Sequence, residues 1–205
     1  MSLDRILSRM GNNILSLIGL TRNIGDDYQQ LLTELRKLLE NTGERKEQMA
    51  VRDRVILEVR DKNGRLKQKY DSGWSLNGIT NAGFAEVAGL LLTDVGGTAF
   101  DYIAIGTGTT AFDPTQTTLV TELSRKAGTG SRVTTSVTND TAQLQAQFSS
   151  ADGLSGTSAV TESGVFNASS GGTMLCRQTF SALNIDWDAG DTLTVTWKIQ
   201  VKQGT

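Results

Sequence analysis

Over the first 42 residues the apolar positions repeat every seven residues. Leu3, Met10, Leu17, Ile24, Leu31 and Leu38 form one series. Leu7, Ile14, Thr21, Tyr28, Leu35 and Thr42 form a second, four residues behind. These are the d and a positions of a helix that buries one narrow seam against another helix. The pattern predicts a helical stem over residues 1–50. Gly19 and Gly25 weaken its middle, and Asp26 and Asp27 offer a fresh N-cap with favourable charge. Both a continuous helix and two helices meeting near residues 19–25 fit. The partner of the seam is a hairpin within the chain or the same helix of a neighbouring subunit.

From Val51 onward the period changes to two. Arg54 to Arg60 reads as a strand, Asn63-Gly64 as a hairpin turn, and Leu66 to Tyr70 as the return strand. Asn81 to Leu92 reads as a short apolar helix capped by Thr80 or Asn81. Strands follow at Tyr102–Ile105, Arg132–Thr138, Gln143–Phe148, Val160–Asn167 and Thr173–Phe180, and Gln116–Leu123 fits a helical turn or a short strand. In the last strand Leu193, Val195, Trp197, Ile199 and Val201 alternate with polar residues. The expected fold is mainly β: a β-sandwich or jelly-roll-like head over residues 51–205 with one inserted helix, preceded by the helical stem.

Charge is unevenly placed. The whole chain carries a formal net charge of −2, so no global basic field draws in nucleic acid. Residues 50–70 nonetheless hold seven basic residues against three acidic ones, whereas residues 71–205 hold six against twelve. Arg52, Arg54, Arg60, Lys62, Arg65, Lys67 and Lys69 thus form a candidate basic docking patch, or simply a solvated strand face. The opening Met-Ser-Leu-Asp-Arg leads into spaced apolar residues interrupted by charges, which is neither a signal peptide nor a membrane span. Synthesis and assembly in a cytoplasm are expected.

Candidate chemistry is sparse. The chain has no His, which removes the usual general base and the commonest metal ligand. Cys176 is its single cysteine, expected to be buried and inert. Gly106-Thr107-Gly108-Thr109-Thr110 invites comparison with a phosphate loop but lacks the lysine and the following helix, so a tight strand-to-loop turn is expected. Asp186, Asp188 and Asp191 cluster like cation ligands, yet Asp-Ala-Gly-Asp is also a plain polar turn. Glu122 and Glu162 are candidates for an acid and base pair. For Glu162, accepting backbone hydrogen bonds or pairing with Arg125 competes with that role. Trp74, Trp187, Trp197, Tyr70 and Tyr102 are candidate sugar-stacking aromatics or, in a chain with 6% aromatic residues, core. No catalytic set, cofactor site or metal site is expected.

Two stretches carry a family resemblance: Asp101-Tyr102-Ile103-Ala104-Ile105-Gly106-Thr107-Gly108-Thr109-Thr110 with Asp113 to Leu119, and Thr161-Glu162-Ser163-Gly164-Val165-Phe166-Asn167 with Gly172 to Arg177. With the Arg60–Gly64 hairpin and the Asn81-Ala82-Gly83 helix start, they resemble a β domain of tailed-phage structural proteins. It is similar to the heads of tail-collar fibres and of capsid-bound accessory proteins. The resemblance covers residues 55–202 and excludes the stem. It implies a non-enzymatic virion protein in which these strands and turns are framework. The expected role is an oligomeric capsid decoration (cement) or head-fibre protein, a trimer by analogy, docking through its N-terminal region onto capsid, neck or tail proteins. A collar, tail or baseplate fibre contacting the host, or a glycan-binding module, is the alternative.

Overall fold

The structure is a computed structural model that describes residues 32–33, 49–76, 78–92 and 95–203. Leu32 and Thr33 are helical. The predicted seam (Leu3, Leu7, Met10, Ile14, Leu17, Ile24, Tyr28, Leu31, Leu35 and Leu38) lies outside the described residues. The chain divides into two units, residues 1–47 and 48–205, and the second is described here.

It is mainly β. In chain order come β1 (Met49–Arg60), β2 (Leu66–Asp71), a helix α1 (Asn81–Leu90), β3 (Tyr102–Gly106), β4 (Glu122–Ala127), β5 (Thr129–Val133), β6 (Thr141–Phe148), β7 (Thr157–Phe166), β8 (Met174–Asp186) and β9 (Thr192–Gln203). The strands form two antiparallel sheets, ordered β2-β1-β9-β6-β5 and β4-β3-β7-β8. Side chains of both sheets meet in one core. Val55, Leu57, Val59, Leu144, Phe148, Leu193, Val195 and Trp197 come from the first sheet, and Ile103, Ile105, Val160, Val165, Cys176, Leu183 and Ile185 from the second. This arrangement is consistent with a β-sandwich. Burial of these alternating side chains is the main stabilising term.

Buried polar groups link the two sheets. The buried Trp197 indole donates to Ser163 Oγ at 3.0 Å, and that hydroxyl donates to the Ala104 carbonyl at 2.9 Å. One chain of bonds thereby ties β9 of the first sheet to β7 and β3 of the second. Buried indole N–H groups require such a partner.

Three local readings change. At the hairpin, an Asn-Gly pair suggests positive φ at both central residues, but only Gly64 has it, with φ +79°. The Gly64 amide donates to the Asp61 carbonyl at 2.8 Å, and Asp61 and Arg65 close the ladder at 3.0 Å. This is a three-residue loop, a type I turn followed by a left-handed glycine. Asp61 Oδ1 accepts from the Asn63 and Arg65 amides, both at 2.9 Å, and holds the turn in that form. Second, the segment read as a strand over Arg132–Thr138 ends at Val133. Asp140 draws the amides of Thr135, Ser136 and Val137 to its carboxylate and folds residues 134–140 into a loop. Third, residues 116–121 belong to a long loop, and strand β4 begins only at Glu122.

The helix keeps its predicted start. Thr80 is the N-cap, extended at φ −82° and ψ 160°, and its side chain accepts from the Gly83 amide. The Thr80 amide donates to the Leu175 carbonyl at 2.8 Å, which fixes α1 against β8. A Cβ on Gly83 would fall 2.5 Å from the Leu175 carbonyl oxygen, so glycine permits this close approach.

Candidate functional site: a buried clamp and an uncharged apolar face

Seven consecutive residues of β7, Val160 to Phe166, are buried. A strand covered on both faces means that something lies over the sheet side turned away from the shared core. The cover is the loop over residues 107–121. Beneath it Ala104, Leu119, Phe166 and Met174 form a small second core.

Glu162 fastens this loop. Its carboxylate accepts from the backbone amides of Gly108 at 2.9 Å, Val120 at 3.1 Å and Thr121 at 2.8 Å. It also pairs with Arg177 Nε at 2.8 Å, and both side chains are fully buried. Arg177 in turn donates to Gln116 Oε1 at 3.0 Å and the Thr110 carbonyl at 2.9 Å. Burial pushes the Glu162 carboxyl up, but the Thr121 amide, the Arg177 guanidinium and the Val120 and Gly108 amides outweigh it and hold it below its usual range. Glu162 is therefore held toward its ionised form, with both carboxylate oxygens engaged. That suits anchoring and not proton transfer.

This geometry explains the Gly106-Thr107-Gly108 sequence. A Cβ at Gly106 would lie 2.7 Å from Glu162 Oε1, and one at Gly108 only 2.4 Å from it. The turn does cradle an anion, and the anion is the protein's own carboxylate. Glu122 faces the same point of β3 from the other side, since Gly106 is paired with Glu122 on β4 and with Glu162 on β7. The two glutamates are thus separated by a strand. Glu122 is held by Arg125 at 2.7 Å, and Arg125 also binds the carbonyls of Ala168 and Gly171. Of the two partners for Glu162 open in the sequence, the backbone amides are present. The cationic partner is Arg177, which the sequence did not single out.

The other candidates are also used structurally. Asp191 accepts from Lys67 and from the Asp186 amide, and Asp186 accepts from the Ala189 amide at 3.0 Å. These bonds shape the β8–β9 turn. Trp187 is buried, its indole donating to Ser158 Oγ at 2.9 Å. Tyr70 stacks on Phe180 with ring centroids 5.0 Å apart, and Tyr102 packs on the second core. Trp74 is half-buried under the Arg52 guanidinium, 4.6 Å from its ring centre. Cys176 is buried, and burial followed by the nearby Asp53 carboxylate pushes its thiol far up.

The basic residues gather on the β1–β2 hairpin and are largely compensated there. Arg54 pairs with Asp71, Arg60 and Lys69 with Glu58, Arg65 with Asp61, and Lys67 with Asp191. Arg52 reaches Gln200, and Lys62 packs by its Cβ near Gly190.

An apolar cleft also remains open. Met49, Ala50 and Val51 at the start of β1, Leu76, and Phe84, Val87, Ala88 and Leu91 of α1 line an open cleft of about 370 Å³, with Val51 and Val87 at its floor packed against the core. Leu91 is 68% exposed, Met49 66%, Leu76 63% and Phe84 48%. The helix has a single charged residue, Glu86, whose carboxylate is taken by the Thr98 amide and the Asn167 side-chain amide. A helix apolar on every side is normally covered on every side. Here β8 covers the side where Gly83 is buried and the Gly96–Gly97 backbone the side where Gly89 is buried, while Phe84 and Leu91 stay exposed. The signal for this face was present in the sequence as the near absence of charge between Asn81 and Leu92.

No protein-family model, curated protein or solved structure matches the chain. Among the described residues there is no cluster of three or more His, Cys, Asp or Glu able to hold a metal ion, and no helix long and apolar enough to cross a membrane.

Proposed function

We propose that the protein is a non-enzymatic structural component of a tailed-phage virion. In this reading it is an oligomeric capsid decoration or head-fibre protein, with a β-sandwich head and an N-terminal heptad-patterned stem that docks and assembles. The observation that carries the assembly role is the contrast between the two regions above. Glu162, Arg177, Arg125 and Asp191 are engaged in fastening loops, while the apolar cleft beside α1 is left open to solvent. Large exposed apolar patches mark interaction surfaces. The virion placement rests on the family resemblance of residues 55–202, and the stem role rests on the Leu3–Leu38 seam.

The test is the solution mass of the full chain by light scattering, with Leu31→Glu/Leu35→Glu as the seam variant. An oligomer that the seam variant weakens supports the reading. A monomer throughout, or hydrolysis of a host polysaccharide by the purified protein, refutes it. A host-contacting fibre or glycan-binding head is the second reading, favoured by the half-buried Trp74 with Arg52 over its ring. Binding on a glycan array that Trp74→Ala abolishes would select it.

A further inference from the structure

We infer that Asp53 is a proton-operated latch on the backbone at Ser75 and Gly78. With the carboxyl neutral, this backbone lies closed over it on β1. With the carboxyl ionised, the backbone opens. The latch is independent of the assembly reading and needs no partner.

The position of Asp53 comes first. It stands in the inward-facing row of β1 between Val51 and Val55 and is fully buried. Oδ2 takes the Gln178 side-chain amide at 2.8 Å, while Oδ1 accepts no hydrogen bond from the described residues. A buried carboxylate with so few donors is costly as an anion and far less costly as a neutral acid.

Its cover is thin on one side. Asp53 and Ser75 exchange backbone hydrogen bonds at 2.9 and 2.8 Å, and the Arg177 amide donates to the Gly78 carbonyl at 2.9 Å. Gly78 lies directly on the carboxylate, where a Cβ would fall 2.2 Å from Oδ2. Leu76, next to Ser75, is exposed and lines the open cleft together with Val51, the neighbour of Asp53 in the inward row. On the other sides Val55 and Cys176 belong to the core. Parting Ser75 and Gly78 from Asp53 therefore hydrates the charge without opening the core.

No cation faces the carboxylate among the described residues. Arg52 and Arg54 alternate to the outer face of β1, where they reach Gln200 and Asp71. On β9 Ile199 stands opposite Asp53, and Lys198 points to the outer face. On β8 Arg177 is taken by Glu162, and on α1 Glu86 is taken by Thr98 and Asn167. Cys176 is the titratable group near Asp53, and burial followed by the Asp53 charge pushes its thiol far up, so it stays neutral. Burial likewise pushes the Asp53 carboxyl up, and the Gln178 amide and the backbone N–H groups of Asp53 and Gly78 offset this only in part. The stability that a raised carboxyl contributes is complete below its ordinary value and is lost as pH rises through the folded value. The latch is thus closed in acid and loosens as pH rises.

The experiment is native-state hydrogen exchange by NMR on the full chain, from about pH 5 to about pH 8, with the intrinsic base-catalysed rate of each amide divided out. Wild type is compared with Asp53→Asn. In the wild type the amides of Asp53, Ser75 and Arg177 are expected to lose protection by about fivefold or more as pH rises, while the Val195 amide in β9 stays unchanged. In Asp53→Asn all of them should keep their protection across the range. The carbon-13 resonance of the Asp53 carboxyl in the wild type should titrate together with the exchange, above the ordinary aspartate value.

Equal protection at both ends of the range, or the same loss in Asp53→Asn, overturns the inference. A loss shared by Val195 would show pH weakening the whole domain and would also overturn the latch. Should Asp53→Asn fail to fold, the wild-type resonance still decides: a carboxyl that titrates at or below the ordinary aspartate value sinks the idea.

Discussion

Replacing Glu162 with alanine removes the acceptor of four hydrogen bonds and leaves a buried guanidinium without its counter-charge. The bonds are those to the Gly108, Val120 and Thr121 amides and to Arg177 Nε. An unsatisfied buried backbone donor costs roughly 1 kcal/mol or more, which applies fully to the buried Gly108 amide and in part to the half-buried bonds of Val120 and Thr121. Breaking a buried ion pair from one side costs about 3–5 kcal/mol in comparable cases. The effects overlap, because water entering the cavity serves both, so the expected loss is on the order of 4–5 kcal/mol. That is a large fraction of the 5–15 kcal/mol typical of a domain.

Glu162→Gln keeps the volume and one acceptor oxygen but turns an NH₂ group toward donors, and is expected to lose roughly 3 kcal/mol. Arg177→Met in the Glu162→Gln background should recover part of that loss, because no buried charge then stands alone. Urea unfolding measures the stabilities. Native-state hydrogen exchange should show the amides of Val120 and Thr121 opening first. A loss below about 1 kcal/mol for Glu162→Ala, or unchanged exchange at those amides, would refute the clamp.

Three other outcomes are expected. Asp53 lies in the inward-facing row of β1, fully buried, with Oδ1 unpartnered and Gln178 donating to Oδ2 at 2.8 Å. Burial raises its pKa, and the Gln178 amide and backbone N–H groups only partly offset that. A carboxyl raised in the folded state favours folding below its ordinary pKa and costs stability as pH rises through the folded value. Asp53→Asn should therefore raise the melting temperature at pH 7 by the equivalent of about 1 kcal/mol and much less near pH 4. An equal gain at both pH values would contradict this.

The Arg54 guanidinium, bonded to Asp71, lowers that carboxyl to about 2. Its stabilising effect is present above the ordinary aspartate value and is lost as pH falls from about 4 toward 2. Both side chains are about one-third exposed, so Asp71→Asn should cost under about 1 kcal/mol at pH 7 and nothing at pH 2, read from acid-unfolding curves. Gly83→Ala puts a Cβ 2.5 Å from the Leu175 carbonyl oxygen and 2.8 Å from its Cα. Backbone cannot yield as a side-chain tip does, so a loss of roughly 2–3 kcal/mol by thermal melting is expected despite alanine's better helix propensity. A more stable Gly83→Ala protein would show that α1 does not pack on β8 as described.

Period and punctuation are local properties, and where they decide structure the chain is legible by itself. Leu193, Val195 and Trp197 alternate with threonines, and that alone makes β9 a strand with one buried side, because successive side chains point to opposite faces. Thr80 before Asn81 likewise marks the start of α1, because the cap acts on an amide three residues away. The hairpin shows the limit of local signals. Asn63-Gly64 places the turn, yet Asp61, by accepting two amides, decides its type.

Partner choice is not local. Arg125 and Arg177 are equally plausible companions for Glu162 along the chain. Register settles the matter: β7 pairs with β8 so that Gly164 lies opposite Arg177, and β4 sets Arg125 opposite Ala104 on β3, where it takes Glu122. Exposure is not local either. The apolar run from Asn81 to Leu92 announces a helix that wants cover on all sides. Only the packed structure shows that β8 and the Gly96–Gly97 backbone cover two sides and leave Phe84 and Leu91 to water. Hydrophobicity is a property of residues, but whether it is satisfied depends on the areas that distant segments bring together.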